Sequence, residues 1–271
     1  MKLEDIQIVC ISLDRRPDRW TAFKERADAA GLAVQRVSAV DSKSFVAYKH
    51  PAVSLGTAHN IYYKTRRSHY EIDAAGAVGC SLSHFAVWKQ LLASSAPAAL
   101  VFEDDAPIPA NLKPRLDAVL AAAPADWDMI QLQRTDYGGG IYGCKPVGPD
   151  GKEGSPWELC TSLMGSYAYL VSRKGAEALL ARAYPIELHV DAYMAYMSRM
   201  GHIRMLWHPL IDIPGPEDDS DIAHGSQGIL NIPTNLEKHG LVVLGTQDIV
   251  GIVAMSAVVG GLLTLAYWRP R

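Results

Sequence analysis

Short runs of Ile, Val, Leu and Phe bounded by polar turns alternate along this chain with stretches whose apolar residues recur every three or four positions. The first run, 6–13, ends in Asp14-Arg15-Arg16-Pro17-Asp18-Arg19 and predicts a central strand followed by a helix. On that helix Trp20, Phe23, Ala27 and Ala30 share one face, and Gly31 ends it. Residues 33–40 predict a second strand. The polar, basic and tyrosine-rich stretch 44–70 has no period and predicts a long loop or excursion. Leu82, Phe85, Ala86, Lys89 and Leu92 then mark an amphipathic helix, with Ser81 or Ser83 as its cap.

The same alternation continues. Residues 98–102 form an apolar run that stops abruptly at Glu103-Asp104-Asp105. Residues 112–120 read as a helix, 128–132 as a strand, and 134–157 as a loop carrying seven glycines. A strand follows at 165–171, then a helix capped by Ser172 and reaching about residue 183, a helix at 191–200 and a closing strand at 203–207. Strands alternating with helices predict an α/β domain with a mostly parallel, twisted sheet flanked by helices. Ligands of such sheets bind at the carboxyl ends of the strands.

Composition changes this picture at one end only. The 26 Lys+Arg against 29 Asp+Glu give a net charge of −3, which argues against nucleic acid as a partner. Residues 249–268 are twenty in a row without a charge, enough for about 30 Å of helix, the thickness of a bilayer core. Tyr267, Trp268, Arg269 and Arg271 flank them as interfacial anchors do, so a C-terminal transmembrane helix is expected, with a buried core helix as the alternative. Residues 1–9 carry Lys2, Glu4 and Asp5 and no long apolar stretch, so no signal peptide is expected there. Together these predict a single-pass membrane protein whose soluble part faces the cytosol. The four cysteines have no CxxC or zinc spacing: Cys10 and Cys80 read as buried thiols, and a loop disulfide between Cys144 and Cys160 is open.

Three successive carboxylates at the tip of an apolar strand raise one another's pKa. A bound Mg²⁺ or Mn²⁺ relieves that, and such a cation commonly bridges carboxylates to substrate phosphates. A solvated acidic turn is the other reading. No glycine-rich phosphate loop follows the first strand, which disfavours a phosphotransferase.

Five segments occur in a telling order: Ile11-Ser12-Leu13-Asp14-Arg15-Arg16-Pro17-Asp18-Arg19, Ala39-Val40-Asp41, Gly79-Cys80-Ser81-Leu82-Ser83-His84, Val101-Phe102-Glu103-Asp104-Asp105, and Ala168-Tyr169-Leu170-Val171-Ser172 with Gly175-Ala176. The series resembles glycosyltransferase family 25, the lipooligosaccharide and procollagen galactosyltransferase family, over about residues 6–224. The resemblance implies a GT-A fold, a UDP-sugar donor, a divalent metal, and inversion at the anomeric carbon. It divides the chain into a catalytic domain at 1–224, a linker at 225–248 and the membrane segment at 249–268.

By the same resemblance Asp105 holds the metal, with Glu103 or Asp104 touching ribose or acting through water. Asp191 falls where such enzymes carry the acidic residue that, as a base, takes the proton of the acceptor hydroxyl, although it is also well placed to cap the helix after it. Asp14, Arg16 and Arg19 follow the first strand, where a guanidinium can clamp a diphosphate, or where Arg19 can pair with Asp18 or Glu25 in a solvated turn. Asp41 can accept from uracil or ribose or serve its own turn, and His84 supports the donor site. His208, or its rival His224, is a candidate late metal ligand. Tyr137, Tyr142 and Trp157 in the glycine-rich loop can stack on sugar rings. Tyr48, Lys49, Tyr62, Tyr63, Arg66 and Arg67 can meet an acidic acceptor or a membrane surface. The expected activity is transfer of a hexose, galactose by resemblance, to a hydroxyl of a glycan, glycolipid or hydroxylated protein side chain, with an inactive, membrane-anchored binding relative as the alternative.

Overall fold

The computed structural model describes residues 1–68, 70–134, 144–147, 156–161 and 163–215. Its frame is an eight-stranded mixed sheet. In chain order the strands are β1 (Gln7–Ser12), β2 (Gln35–Ser38), β3 (Ala98–Glu103), β4 (Met129–Gln131), β5 (Lys145–Pro146), β6 (Glu158–Leu159), β7 (Ala168–Ser172) and β8 (Met205–Trp207). The helices are α1 (Pro17–Ala29), α2 (Leu55–Tyr63), α3 (Ala75–Ala93), α4 (Leu112–Ala122), α5 (Arg173–Leu180) and α6 (Val190–Arg199). Across the sheet the order is β2-β1-β3-β7-β4-β8-β6-β5.

The expectation of a mostly parallel sheet is corrected here. β1 runs parallel to β2 and β3, and β4 to β8, but β7 is antiparallel to both of its neighbours, and β5 and β6 are antiparallel too. A parallel return needs a crossover, usually a helix, whereas an antiparallel one does not. Among the described residues the connection from β4 to β7 holds β5 and β6 and no helix, so the chain comes back against β4.

Both faces of the sheet are covered, which is why its central strands read as continuous apolar runs rather than alternating ones. On one face Val9, Val101, Tyr169 and Met205 pack with Trp88 and Leu91 of α3, Leu179 of α5 and Met197 of α6. On the other, Cys10, Phe102, Leu170 and Leu206 meet Phe23 of α1 and Leu116 of α4. Helix α1 presents Phe23 and Ala27 inward and ends at Gly31, whose φ of +69° is the left-handed stop that the sequence predicts.

Two other elements differ from expectation. The 44–70 stretch is not a bare loop: α2 lies within it, capped by Ser54, and its flanks are stitched to 186–189 through Ser54 N–H to Ile186 O and His189 N–H to Tyr70 O. Helix α3 begins at Ala75 rather than near Ser81. Ser81 and Ser83 are buried inside it and donate back to the Ala77 and Gly79 carbonyls at 3.1 and 2.7 Å. With Ala77, Val78, Gly79, Ser81, Ser83 and His84 all buried, this helix has no polar stripe to betray its first turns. Ser172 does cap α5, accepting from Gly175 N–H.

The expected transmembrane helix and membrane location are also corrected. Residues 225–248 and 249–268 lie outside the described residues, and among the described residues no helix is long and apolar enough to cross a membrane. The sequence criterion registers apolar composition alone.

Candidate active site

Because β7 is antiparallel, the carboxyl ends of β1, β3, β4 and β8 and the amino end of β7 lie along one edge of the sheet. A cleft opens there. Its lining includes Leu13, Arg15, Arg19, Asp41, Ser42, Cys80, His84 and the whole of Glu103-Asp104-Asp105.

The acidic tip is held by basic groups behind it. Arg19 Nη2 lies 2.8 Å from Asp104 Oδ1 and 2.7 Å from Asp105 Oδ2, with all three side chains largely buried. Arg26 donates to the Asp104 and Ala106 carbonyls at 3.1 and 3.3 Å, which fixes the turn after β3. Glu103 accepts from Ser166 Oγ at 2.5 Å and faces His84 Nε2 at 3.4 Å.

These neighbours set the acidities apart. Burial raises the Glu103 carboxyl, but His84, Ser166 and Arg19 outweigh it and leave Glu103 below the usual range. Burial raises Asp104 despite Arg19. Asp105 is pushed up to about 7 by burial and by the Glu103 and Asp104 charges, against the pull of Arg19. One oxygen of Asp105, Oδ1, is buried without a hydrogen-bond partner among the described residues. An orphaned hard oxygen beside further carboxylates is the donor set that suits Mg²⁺ or Mn²⁺, so these residues fit such a cation.

The other wall comes from the segment after β2. Asp41 pairs with Arg15 at 3.1 Å and accepts from Lys43 N–H at 3.0 Å, while Ser83 Oγ accepts from Val40 N–H at 2.8 Å. Gly79 makes this contact close: a Cβ on it would sit 2.6 Å from the Val40 carbonyl oxygen.

Of the residues singled out in the sequence, Arg19, Asp41, His84, Glu103, Asp104 and Asp105 share this cleft. Asp14 does not line it. It turns to Arg36 at 2.8 Å and Ser38 at 2.9 Å, which lower its pKa. Arg16 pairs with exposed Asp18. His208 follows β8, three strands from β3, and its Nδ1 accepts from Leu210 N–H at 3.1 Å while its ring meets Trp157 edge-on. Burial lowers its pKa. His224, Tyr137 and Tyr142 lie outside the described residues.

Asp191 is not the N-cap of α6, a position taken by His189. Its Oδ1 accepts from Ala192 N–H at 2.7 Å and its Oδ2 from Gly165 N–H at 3.0 Å. Gly165 adjoins Ser166, so Asp191 stands beside the residue that holds Glu103. Gly165 has a φ of +97°, and its carbonyl accepts from Gln131 and Gln133 at 3.4 and 2.7 Å.

Sequence reasoning missed Arg15, Ser166, Trp88, Gln131 and Gln133. Ser166 and Arg15 sit in turns beside motifs and carry no pattern of their own. The glutamines end an apolar strand, a place where a polar residue is a usable signal. Cys144 and Cys160 do form a disulfide, with Cα atoms 4.1 Å apart, whereas Cys80 is a cleft residue rather than a fully buried thiol.

Comparison with known proteins gives this geometry a lineage. Residues 5–138, which carry β1, α1, the Gly79–His84 stretch and the acidic tip, match the family described as Glycosyltransferase family 25 (LPS biosynthesis protein). The chain is 29% identical over 202 residues to "Probable inactive glycosyltransferase 25 family member 3" of Rattus norvegicus, covering 70% of this chain and 32% of that protein. It is 30% identical over 205 residues to "Glycosyltransferase 25 family member" of Anopheles gambiae, covering 72% and 32%. To "Procollagen galactosyltransferase 1" of Danio rerio it is 25% identical over 240 residues, covering 84% and 36%. The chain thus spans about a third of the length of the curated relatives it matches. With the family match lying over the cleft itself, the chain belongs to glycosyltransferase family 25.

Proposed function

We propose that this chain is a metal-dependent, inverting glycosyltransferase that moves a hexose, galactose in the first instance, from a UDP-sugar to a hydroxyl of a glycan, glycolipid or hydroxylated protein side chain. The observation that carries the reading is the Glu103-Asp104-Asp105 tip in the cleft, with Asp105 Oδ1 buried and unpartnered among the described residues. Asp105 is the residue that would hold the metal, and Glu103 or Asp104 would contact ribose or act through water. A Mg²⁺ or Mn²⁺ ion held there supplies positive charge to the departing diphosphate. Arg19 and Arg15 reach the same cleft and offer guanidinium groups to phosphate oxygens. Asp41 accepts from the nucleoside. Asp191 is the proposed base that takes the acceptor's proton, and its tie to Gly165 N–H aims one carboxyl oxygen while holding the residue next to the Glu103 partner.

The donor sugar rests on the name of the Danio rerio relative. The second reading, a family member that binds without turnover, draws on the relatives named inactive and on Arg19, which already neutralises Asp104 and Asp105. UDP release from UDP-galactose and UDP-glucose by the full chain, with and without Mn²⁺, separates them. Turnover that needs Mn²⁺ and disappears in Asp105→Asn, with the fold intact by circular dichroism, is the expected result. Failure of wild type to release UDP from any hexose donor overturns the enzymatic reading, and wild-type turnover by Asp105→Asn overturns the role of Asp105.

A further inference from the structure

Behind Glu103 lies a buried polar chain that the proposed chemistry does not use. His84 on α3 and Tyr169 on β7 are both fully buried, and Trp88 stands one helical turn beyond His84. Trp88 Nε1 donates to the Tyr169 hydroxyl at 3.0 Å, and the same hydroxyl lies 2.8 Å from His84 Nδ1. On its other side His84 Nε2 faces Glu103 Oε1 at 3.4 Å.

For the neutral ring two hydrogen arrangements satisfy these distances, and they make opposite claims about the site. If Nδ1 carries the proton and donates to Tyr169, Nε2 presents a bare lone pair. It then joins Cys80 Sγ and a Glu103 oxygen, all within 4.8 Å of one another, in a group of the kind that zinc takes. If instead Tyr169 donates to Nδ1, the ring proton is on Nε2 and points at Glu103.

The first arrangement places two donors, the Trp88 indole and His84 Nδ1, on one hydroxyl and leaves that hydroxyl's own hydrogen without an acceptor among the described residues. It also sets a nitrogen lone pair against a carboxylate oxygen. The second strands no hydroxyl hydrogen: an indole N–H can only donate, so the Tyr169 oxygen accepts, its hydrogen passes to Nδ1, and Nε2–H is turned toward Glu103 Oε1, 3.4 Å away and not yet hydrogen-bonded to it. An orphaned donor in such a place costs more than a hydrogen bond gains. Burial pushes the Tyr169 phenol far up, so its hydrogen stays in place through the working pH range.

We propose that Trp88 and Tyr169 are positioning residues that lock His84 in the Nε2–H tautomer, making it a hydrogen-bond donor that orients the Glu103 carboxylate rather than a metal ligand. That the orientation of Glu103 matters for nucleotide binding rests on the function proposed above; the tautomer does not.

The test uses the full chain labelled with ¹⁵N-histidine, with the His84 signals assigned by their loss in His84→Gln. Wild type should show a protonated Nε2 and an unprotonated Nδ1, and Tyr169→Phe should move both shifts toward a tautomer mixture. Binding of UDP with Mn²⁺, measured by calorimetry, should weaken about 10–100-fold in Tyr169→Phe and in His84→Leu, the usual loss when an outer partner of a site is removed. His84→Gln, whose amide N–H can replace Nε2–H, should recover most of that loss. A protonated Nδ1 in wild type, or stoichiometric Zn²⁺ binding abolished by Cys80→Ser, overturns the proposal. Should wild type bind no UDP, the proposed function falls while the tautomer still decides the wiring.

Discussion

Asp105 carries the charge conflict on which the cleft is built. In an unfolded chain its carboxyl titrates near 4, whereas in the folded protein burial and the Glu103 charge push it up to about 7. Between those values the folded state keeps a proton that the unfolded chain has released, so this group's contribution falls as pH rises from about 4 to about 7. The metal-free protein should therefore lose thermal stability across that window, and Asp105→Asn should flatten the loss. Added Mn²⁺ should raise the wild-type melting temperature more at pH 7.5 than at pH 5, because a cation prefers the ionised carboxyl. A thermal-melt series against pH with both proteins checks all three outcomes, and a wild-type slope equal to that of the variant removes Asp105 as its source. At this scale the sequence was informative where chemistry is written in residue type. Glu103-Asp104-Asp105, Arg19 and Asp41 could be picked out because charge just after an apolar strand is conspicuous, and His84 because the family resemblance points to it. Ser166, Arg15 and Trp88 could not, since their importance lies in whom they touch.

Helix α3 makes the same point for an element. Its later turns follow a helical period, and its first turns are small residues buried on several sides, which no periodicity distinguishes from a strand or a loop. Those small residues are what let the helix approach the backbone at Val40–Ser42. Gly79→Ala should therefore force the segment carrying Asp41 and Ser42 outward, costing about 1–3 kcal/mol as overpacking does, and should weaken UDP binding along with stability. Denaturant melts paired with UDP calorimetry measure both effects. An alanine variant with unaltered stability and affinity would show that this wall yields without consequence. The α2 excursion was hidden for a related reason: its exposed Tyr62 and Tyr63 interrupt any apolar stripe, and its place is fixed by backbone bonds to 186–189 rather than by a pattern of its own.

For the whole molecule, element types and most boundaries of the α/β frame were readable, because both faces of the sheet are buried and its strands are apolar runs. The direction of β7 was not, since a strand's sequence does not record which neighbour it will lie against. That one reversal seats the amino end of β7 between the carboxyl ends of β3 and β4 and brings Gly165 to the centre of the edge. Gly165→Ala meets both a left-handed φ and the Gln133 amide 2.9 Å from the new Cβ. It should cost about 1–3 kcal/mol and lower turnover more than donor affinity, because Asp191 moves with it. Turnover and UDP affinity, measured side by side, report that split, and equal losses in both would place the damage at the donor side alone. The residue that grips Asp191 and the residue that grips Glu103 are chain neighbours, their Cα atoms about 3.8 Å apart. On the proposed function, that adjacency makes a covalent ruler between the base and the donor-side carboxylate, one that no loop can stretch.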